Sequence, residues 1–215
     1  MIKVAIFDMD GLMFDTESAY SVVHGAMSKK RGKEYTLELK NSFMGKRASE
    51  VIEGLNIYWG KNENVKDLFK EQDAELVRIY SESVEKLKGL DSLLTFLNEH
   101  SIRKCIGTSS RRFLVGVLLK KFNLESEFEF IVSGDMVERG KPDPEIYLKC
   151  IAQLGVSPEE CLVFEDSLNG VKAGVSAGCK VCAIPSEYTH HDDFSIASLL
   201  AESLDDKVIG NFILL

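Results

Sequence analysis

No apolar run in this chain is long enough to cross a bilayer as a helix, and no membrane partner is expected. Positive charge is also scarce: 26 Lys and Arg stand against 34 Asp and Glu, a formal net charge of −8. A basic face is the usual footprint of a protein that grips nucleic acid, so this balance argues against bulk nucleic-acid binding. The N-terminal MIKVAIFDMD lacks the long apolar region and small-residue cleavage site of a signal peptide, and the expected location is the cytoplasm. The five cysteines, Cys105, Cys150, Cys161, Cys179 and Cys182, are odd in number and scattered, which argues for reduced thiols. Cys179 and Cys182 form one C-x-x-C, but a structural zinc site would need two more ligands at similar spacing, and none is evident. There is no internal repeat and no low-complexity segment. Nothing in the sequence encodes an oligomeric state, and a monomer is the default expectation.

What is present is ordinary in amount and informative in order. At 215 residues, 45 % apolar and 28 % charged, the chain suits a soluble globular protein of one large domain or two unequal ones. After Leu90 helix-like and strand-like stretches alternate: DSLLTFLNEH, IRKCIGTSS, RRFLVGVLLKKFNL, FEFIVSGD, DPEIYLKCIAQLG, CLVFEDS, SLNGVKAGVSAG and KVCAIP. Asp143 and Pro144 suit a helix start, Gly155 a stop, and SPEE at Ser157 to Glu160 a capping box. Such alternation implies a parallel sheet covered on both faces, with ligands at the carboxyl ends of its strands.

Residues 16 to 88 break the rhythm. Ala19, Val22, Val23, Ala26 and Met27 make one helical stripe; Leu68, Phe69, Leu76, Val77, Tyr80 and Val84 make a longer one. KKRGKEY and WGKNENVK read as turns between helices. The predicted fold is α/β, a Rossmann-like parallel-sheet core of residues 1–15 and 89–215 with an inserted α-helical cap domain over 16–88.

The first strand, VAIF, runs into Asp8 and Asp10. Taken alone, a D-x-D after a strand is a turn cap, a solvated strand end or a metal site. A second apolar strand ends in Glu165 and Asp166, a third in Thr108 and Ser109, and Lys141 lies in GKPDP. Three or four carboxylates without His or Cys suit a hard cation such as Mg²⁺, which shares phosphate oxygens readily. Small hydroxyls and loop N–H groups cradle phosphate, and an ammonium holds a carboxylate and a phosphate together.

In that order, DMDG, GTSS, GKPDP and FEDS resemble the four motifs of the haloacid dehalogenase-like superfamily over nearly the whole chain. DMDGLMFDTE is most similar to its branch of β-phosphoglucomutase-like enzymes and small-molecule phosphatases with a helical cap. The resemblance implies Asp8 as nucleophile, forming an aspartyl-phosphate, and Asp10 as general acid and then base. It implies Mg²⁺ on the side chains of Asp8, Glu165 and Asp166 and the backbone carbonyl of Asp10, with Glu165 acting directly or through water. Thr108 and Ser109 would bind the phosphoryl group, and Lys141 would offset its charge. Gly11 would permit the turn behind the aspartates, and a flap would reach Glu17.

Substrate choice falls to the cap. Met44, Gly45, Lys46 and Arg47 resemble the segment that closes over substrate in this branch, and Lys46 or Arg47 would contact a remote hydroxyl or phosphate. The mutase pattern carries a His at the place of Tyr20 and an Arg at the place of Ser49. Without both, the expected function is a Mg²⁺-dependent phosphatase of a phosphorylated sugar or similar small metabolite. The alternatives are a β-phosphoglucomutase-type mutase and, behind it, a noncatalytic binder of phosphorylated metabolites. His190 and His191 read as a solvated loop, His24 as packed on a cap helix, and His100 as a helix end.

Overall fold

The computed structural model describes residues 1–43, 46 and 48–215. Met44, Gly45 and Arg47, part of the expected substrate-closing segment, lie outside the described residues.

Apolar β-branched and aromatic runs form the strands. β1 (Val4–Phe7), β2 (Arg103–Gly107), β3 (Ile131–Val132), β4 (Cys161–Glu165), β5 (Lys180–Ala183) and β6 (Leu199–Leu200) pair in parallel in the order β3-β2-β1-β4-β5-β6. β1 lies between β2 and β4, so the strand order reverses beside it, and in open α/β sheets such a switch point is where ligands bind. Side chains alternate across the sheet. Ala5, Phe7, Leu162 and Phe164 enter one buried cluster with α5 (Leu90–Glu99), α6 (Arg112–Phe122) and α9 (Lys207–Leu214). Val4, Ile6, Cys161 and Val163 enter the other, with α7 (Glu145–Leu154) and α8 (Leu168–Ser176). Both faces are therefore covered, which is why these strands read as continuous apolar runs.

Between β1 and α5 stand α1 (Glu17–Lys30), α2 (Leu37–Phe43), α3 (Ala48–Trp59) and α4 (Val65–Glu82). Asn64 caps α4 by accepting from the Lys66 N–H at 2.9 Å. The apolar faces of these helices, including Val23, Leu55 and Leu76, join the same buried cluster as Phe7. Among the described residues no helix is long and apolar enough to cross a membrane. All five cysteines are buried and free.

Three local expectations need correction. The face of α1 that is buried is Ala19, Val23, His24, Met27 and Ser28, while Val22 is exposed and so is Ala26. Polar residues that find partners, such as Ser28 accepting from the Trp59 indole at 2.9 Å, turn the helix about one position from its purely apolar stripe. FEFIVSGD holds only a two-residue strand, because β3 is a sheet edge and the chain turns into a 3-10 turn at Gly134–Met136. β6 and α9 have no counterpart in the sequence reading, since two residues of strand carry no period.

Candidate active site

The carboxyl ends of β1, β2 and β4 bring three distant segments to one point. Asp8 follows β1 directly, Glu165 ends β4, Asp166 follows it, and Lys141 arrives from the loop before α7. The Lys141 ammonium donates to Asp8 Oδ1 at 2.5 Å, to Glu165 Oε1 at 2.6 Å and to the Gly107 carbonyl at 3.2 Å. All four side chains are buried. Burial works against the charge of Lys141, but the fields of Asp8 and Glu165 and its hydrogen bonds to both outweigh it and hold its pKa above the ordinary range. Burial pushes the Asp8 carboxyl up to about 8; Lys141 pulls against this, and Glu165 and Asp10 add to the rise. Asp166 is pushed well above the carboxylate range by burial, then by Glu165 and Asp8.

Burial is the largest cause of both carboxyl shifts, and the neighbouring carboxylates add to it. Asp8, Glu165 and Asp166 each offer one oxygen within 4.8 Å of the others. When all three are ionised, these carboxylates against one ammonium leave two negative charges, which a divalent cation would balance. The donor set is all oxygen, as a hard cation requires. Gly11, at φ +74°, passes so close that a Cβ would sit 2.4 Å from Asp166 Oδ2, so the turn leaves the carboxylate its place only with glycine. The residues therefore fit Mg²⁺.

Glu165 is the most constrained member. Its Oε1 accepts from Lys141 and from the Tyr147 hydroxyl, each at 2.6 Å. Its Oε2 accepts from the N–H groups of Asp166 and Ser167 and from the Ser167 hydroxyl, at 3.1 to 3.2 Å. A Cβ on Gly170 would fall 1.7 Å from Oε1, so α8 packs against the carboxylate without a side chain between.

Asp10 is positioned from β2: the Thr108 hydroxyl donates to its Oδ2 at 3.1 Å and accepts from the Ser110 N–H at 3.1 Å. Asp10 Oδ1 is buried without a partner. A cavity of about 510 Å³ opens onto Asp8, Asp10, Ser109, Lys141 and Asp166. Thr108 is fully buried behind it, whereas Ser110, which the sequence reading did not single out, is on the lining. Glu17, Tyr20 and Lys46 line it from the helical side, and the Tyr20 hydroxyl lies 3.3 Å from Ser110 Oγ. Burial raises the Glu17 carboxyl, with Lys40 opposing. Arg47 lies outside the described residues. His190 and His191 are exposed, as expected of a loop; His24 is buried on α1, and His100 follows the last residue of α5.

Tyr147 is the functional neighbour that sequence reasoning missed. It is fully buried, and its ring lies 5.0 Å from the Lys141 nitrogen. The signal available was its spacing from Lys141: six residues on, across the turn and into the first turns of α7, on the face that carries Cys150 and Leu154.

Residues 5–184 match the model of the haloacid dehalogenase-like hydrolases. The chain is 35 % identical over 181 residues to the phosphorylated carbohydrates phosphatase of Thermotoga maritima, covering 82 % of each. It is 31 % identical over 207 residues to the protein CbbY of Rhodobacter capsulatus, covering 91 % of each. The crystal structure of CbbY from Rhodobacter sphaeroides in complex with phosphate superposes with a TM-score of 0.85 at 25 % identity, over 95 % of this chain and 96 % of that one. The chain belongs to the haloacid dehalogenase-like hydrolase family, and within it to the phosphatase branch.

Proposed function

We propose that the protein is a Mg²⁺-dependent phosphomonoesterase for a phosphorylated sugar or similar small metabolite, working through an aspartyl-phosphate on Asp8. The observation that carries this reading is the junction of Asp8, Lys141, Glu165 and Asp166 at the mouth of a cavity that also holds Asp10. A relative that dephosphorylates carbohydrates and a similar fold holding phosphate support it.

Asp8 attacks phosphorus while Asp10, held by Thr108, gives a proton to the leaving oxygen. Water then attacks the phosphoryl group, Asp10 takes its proton, and phosphate leaves with Asp8 restored. Lys141 holds Asp8 in line and offsets charge on the transferring group, with Ser109 and Ser110 on the phosphate side. Asp8, Glu165, Asp166 and the Asp10 carbonyl would hold Mg²⁺, which when bound neutralises phosphoryl charge. Residues 16–88 serve as a cap over the core of 1–15 and 89–215, closing the cavity on the substrate.

The test is a panel of phosphorylated sugars and nucleotides with Mg²⁺, scoring phosphate release and isomerisation separately. Phosphate release without isomerisation is expected. Asp8→Asn should abolish it, and Asp10→Asn should lower kcat far more than it raises KM. Near-normal turnover in Asp8→Asn would remove the nucleophile, and isomerisation without net hydrolysis would replace the phosphatase with a mutase.

A further inference from the structure

The cavity lining includes a group of side chains that the chemistry above does not use. Gln72, on α4, lines it and is buried to 1 % exposure. Its Oε1 lies 2.8 Å from His24 Nε2, and His24 Nδ1 lies 3.4 Å from the Tyr35 hydroxyl. Its Nε2 is buried with no hydrogen-bond partner. Three side chains from α1, from the α1–α2 connection and from α4 thus meet in one chain of contacts. The tyrosine hydroxyl donates to Nδ1, the imidazole Nε2–H donates to the glutamine carbonyl, and both amide protons of Gln72 are left over.

A buried amide N–H without an acceptor costs stability, and an oxygen placed in the adjoining cavity would satisfy it. The donor is uncharged. Burial lowers the pKa of His24, against the hydrogen bond that its Nε2–H donates to Gln72, and so favours the neutral ring. Of the cavity's ammonium groups among the described residues, Lys141 is held by Asp8 and Glu165, Lys40 lies over the Tyr188 ring at 3.8 Å, and Lys46 is exposed. A neutral donor suits a hydroxyl or carbonyl oxygen; it does not offset the charge of a second phosphate or a carboxylate, whose desolvation would go uncompensated.

Resting on the phosphomonoesterase reading, we propose that Gln72, oriented by His24 and Tyr35, forms a subsite for the neutral hydroxylated end of a sugar or polyol monophosphate and disfavours bisphosphates. Asp8 and Lys141 take the phosphoryl end of the same molecule. Gln72 is then a specificity-determining residue that touches substrate, and His24 and Tyr35 are positioning residues that set which way its amide points.

The test is calorimetric binding of glucitol 6-phosphate and fructose 1,6-bisphosphate to the full-length protein with Mg²⁺, with phosphate release read on the same samples. The wild type should bind the monophosphate at least about tenfold more tightly. Gln72→Leu should weaken monophosphate binding about tenfold, the scale of one neutral hydrogen bond, and leave the bisphosphate nearly unchanged. Gln72→Lys should move the preference toward the bisphosphate. Tyr35→Phe, at a half-buried position, guards against a variant that fails to fold; it should lose a smaller factor, about threefold, on the monophosphate alone. Equal losses on both ligands, no change on either, or a wild-type preference for the bisphosphate would overturn the subsite. Gln72-dependent binding without phosphate release would overturn the phosphatase reading and leave the subsite standing. Binding of neither ligand would overturn both.

Discussion

At the scale of single residues, Glu165 has an unusual position. It is a fully buried carboxylate that accepts from an ammonium, a phenol, a hydroxyl and two backbone N–H groups. So many donors hold the carboxylate in one orientation, and Lys141 and Asp8 are placed against it. Tyr147 is the only one of these donors that comes from the face of α7, and its substitution separates positioning from charge. Tyr147→Phe keeps the ring beside Lys141 and removes the 2.6 Å hydrogen bond. We expect kcat for phosphate release to fall roughly tenfold with KM nearly unchanged, and stability in urea to drop by about 1 kcal/mol. A rise in KM alone would place Tyr147 in ground-state binding instead. The acids were legible in the sequence because they follow apolar strands, and Lys141 because it lies in the short motif GKPDP. Tyr147 was passed over, because apart from its spacing from Lys141 a tyrosine in an amphipathic helix looks like any other core residue.

At the scale of elements, the helical insert is held by side chains that carry charge as well as by its apolar face. Arg31, after α1, stacks over Trp59 of α3 at 4.3 Å and pairs with Glu63 at 2.7 Å and with Glu71 of α4 at 2.8 Å. Its guanidinium is almost fully covered, so one residue ties three of the insert's elements together. Hydrogen bonds from Arg31 lower the pKa of Glu63 and of Glu71. A carboxyl whose folded pKa is depressed contributes stability above its unfolded value, near 4.5, and loses it as pH falls through the folded value. Thermal unfolding should therefore drop between pH 6 and pH 3 more steeply in the wild type than in Arg31→Met, which lacks the partner. Parallel pH curves for the two would show that these pairs contribute nothing. The insert meets the sheet side through Arg111, which pairs with Asp73 of α4 at 2.6 Å, and through Lys121, which donates to the carbonyls of Tyr80 and Val84. The helical character of α1 and α4 was legible from periodicity. The rotation of α1 was not, since Ser28 and His24 bury themselves only because Trp59 and Gln72 meet them.

At the scale of the whole molecule, one feature of the charge distribution governs stability. The sheet gathers Asp8, Glu165 and Asp166 into the interior with a single ammonium, on a chain whose net charge is already −8. A divalent cation bound there relieves repulsion that the folded chain alone must carry. Mg²⁺ should accordingly raise the melting temperature, with a stabilisation of about 2.7 kcal/mol at a hundredfold excess over its Kd, and a chelator should reverse the rise together with phosphate release. Asp166→Asn should abolish the Mg²⁺-induced shift. A melting temperature indifferent to Mg²⁺ in the wild type would show that the acidic cluster binds no such ion.

The alternation of strands and helices from α5 to β5, the parallel sheet and the acids at strand ends were determined by local pattern: apolar runs, cap residues and short motifs, each read within a dozen residues. The union of Tyr147 with Glu165, the hold of Thr108 on Asp10 and the chain from Tyr35 through His24 to Gln72 were decided only by tertiary structure. Each joins residues far apart in the chain by hydrogen bonds, and a hydrogen bond depends on distance and direction that no periodicity encodes.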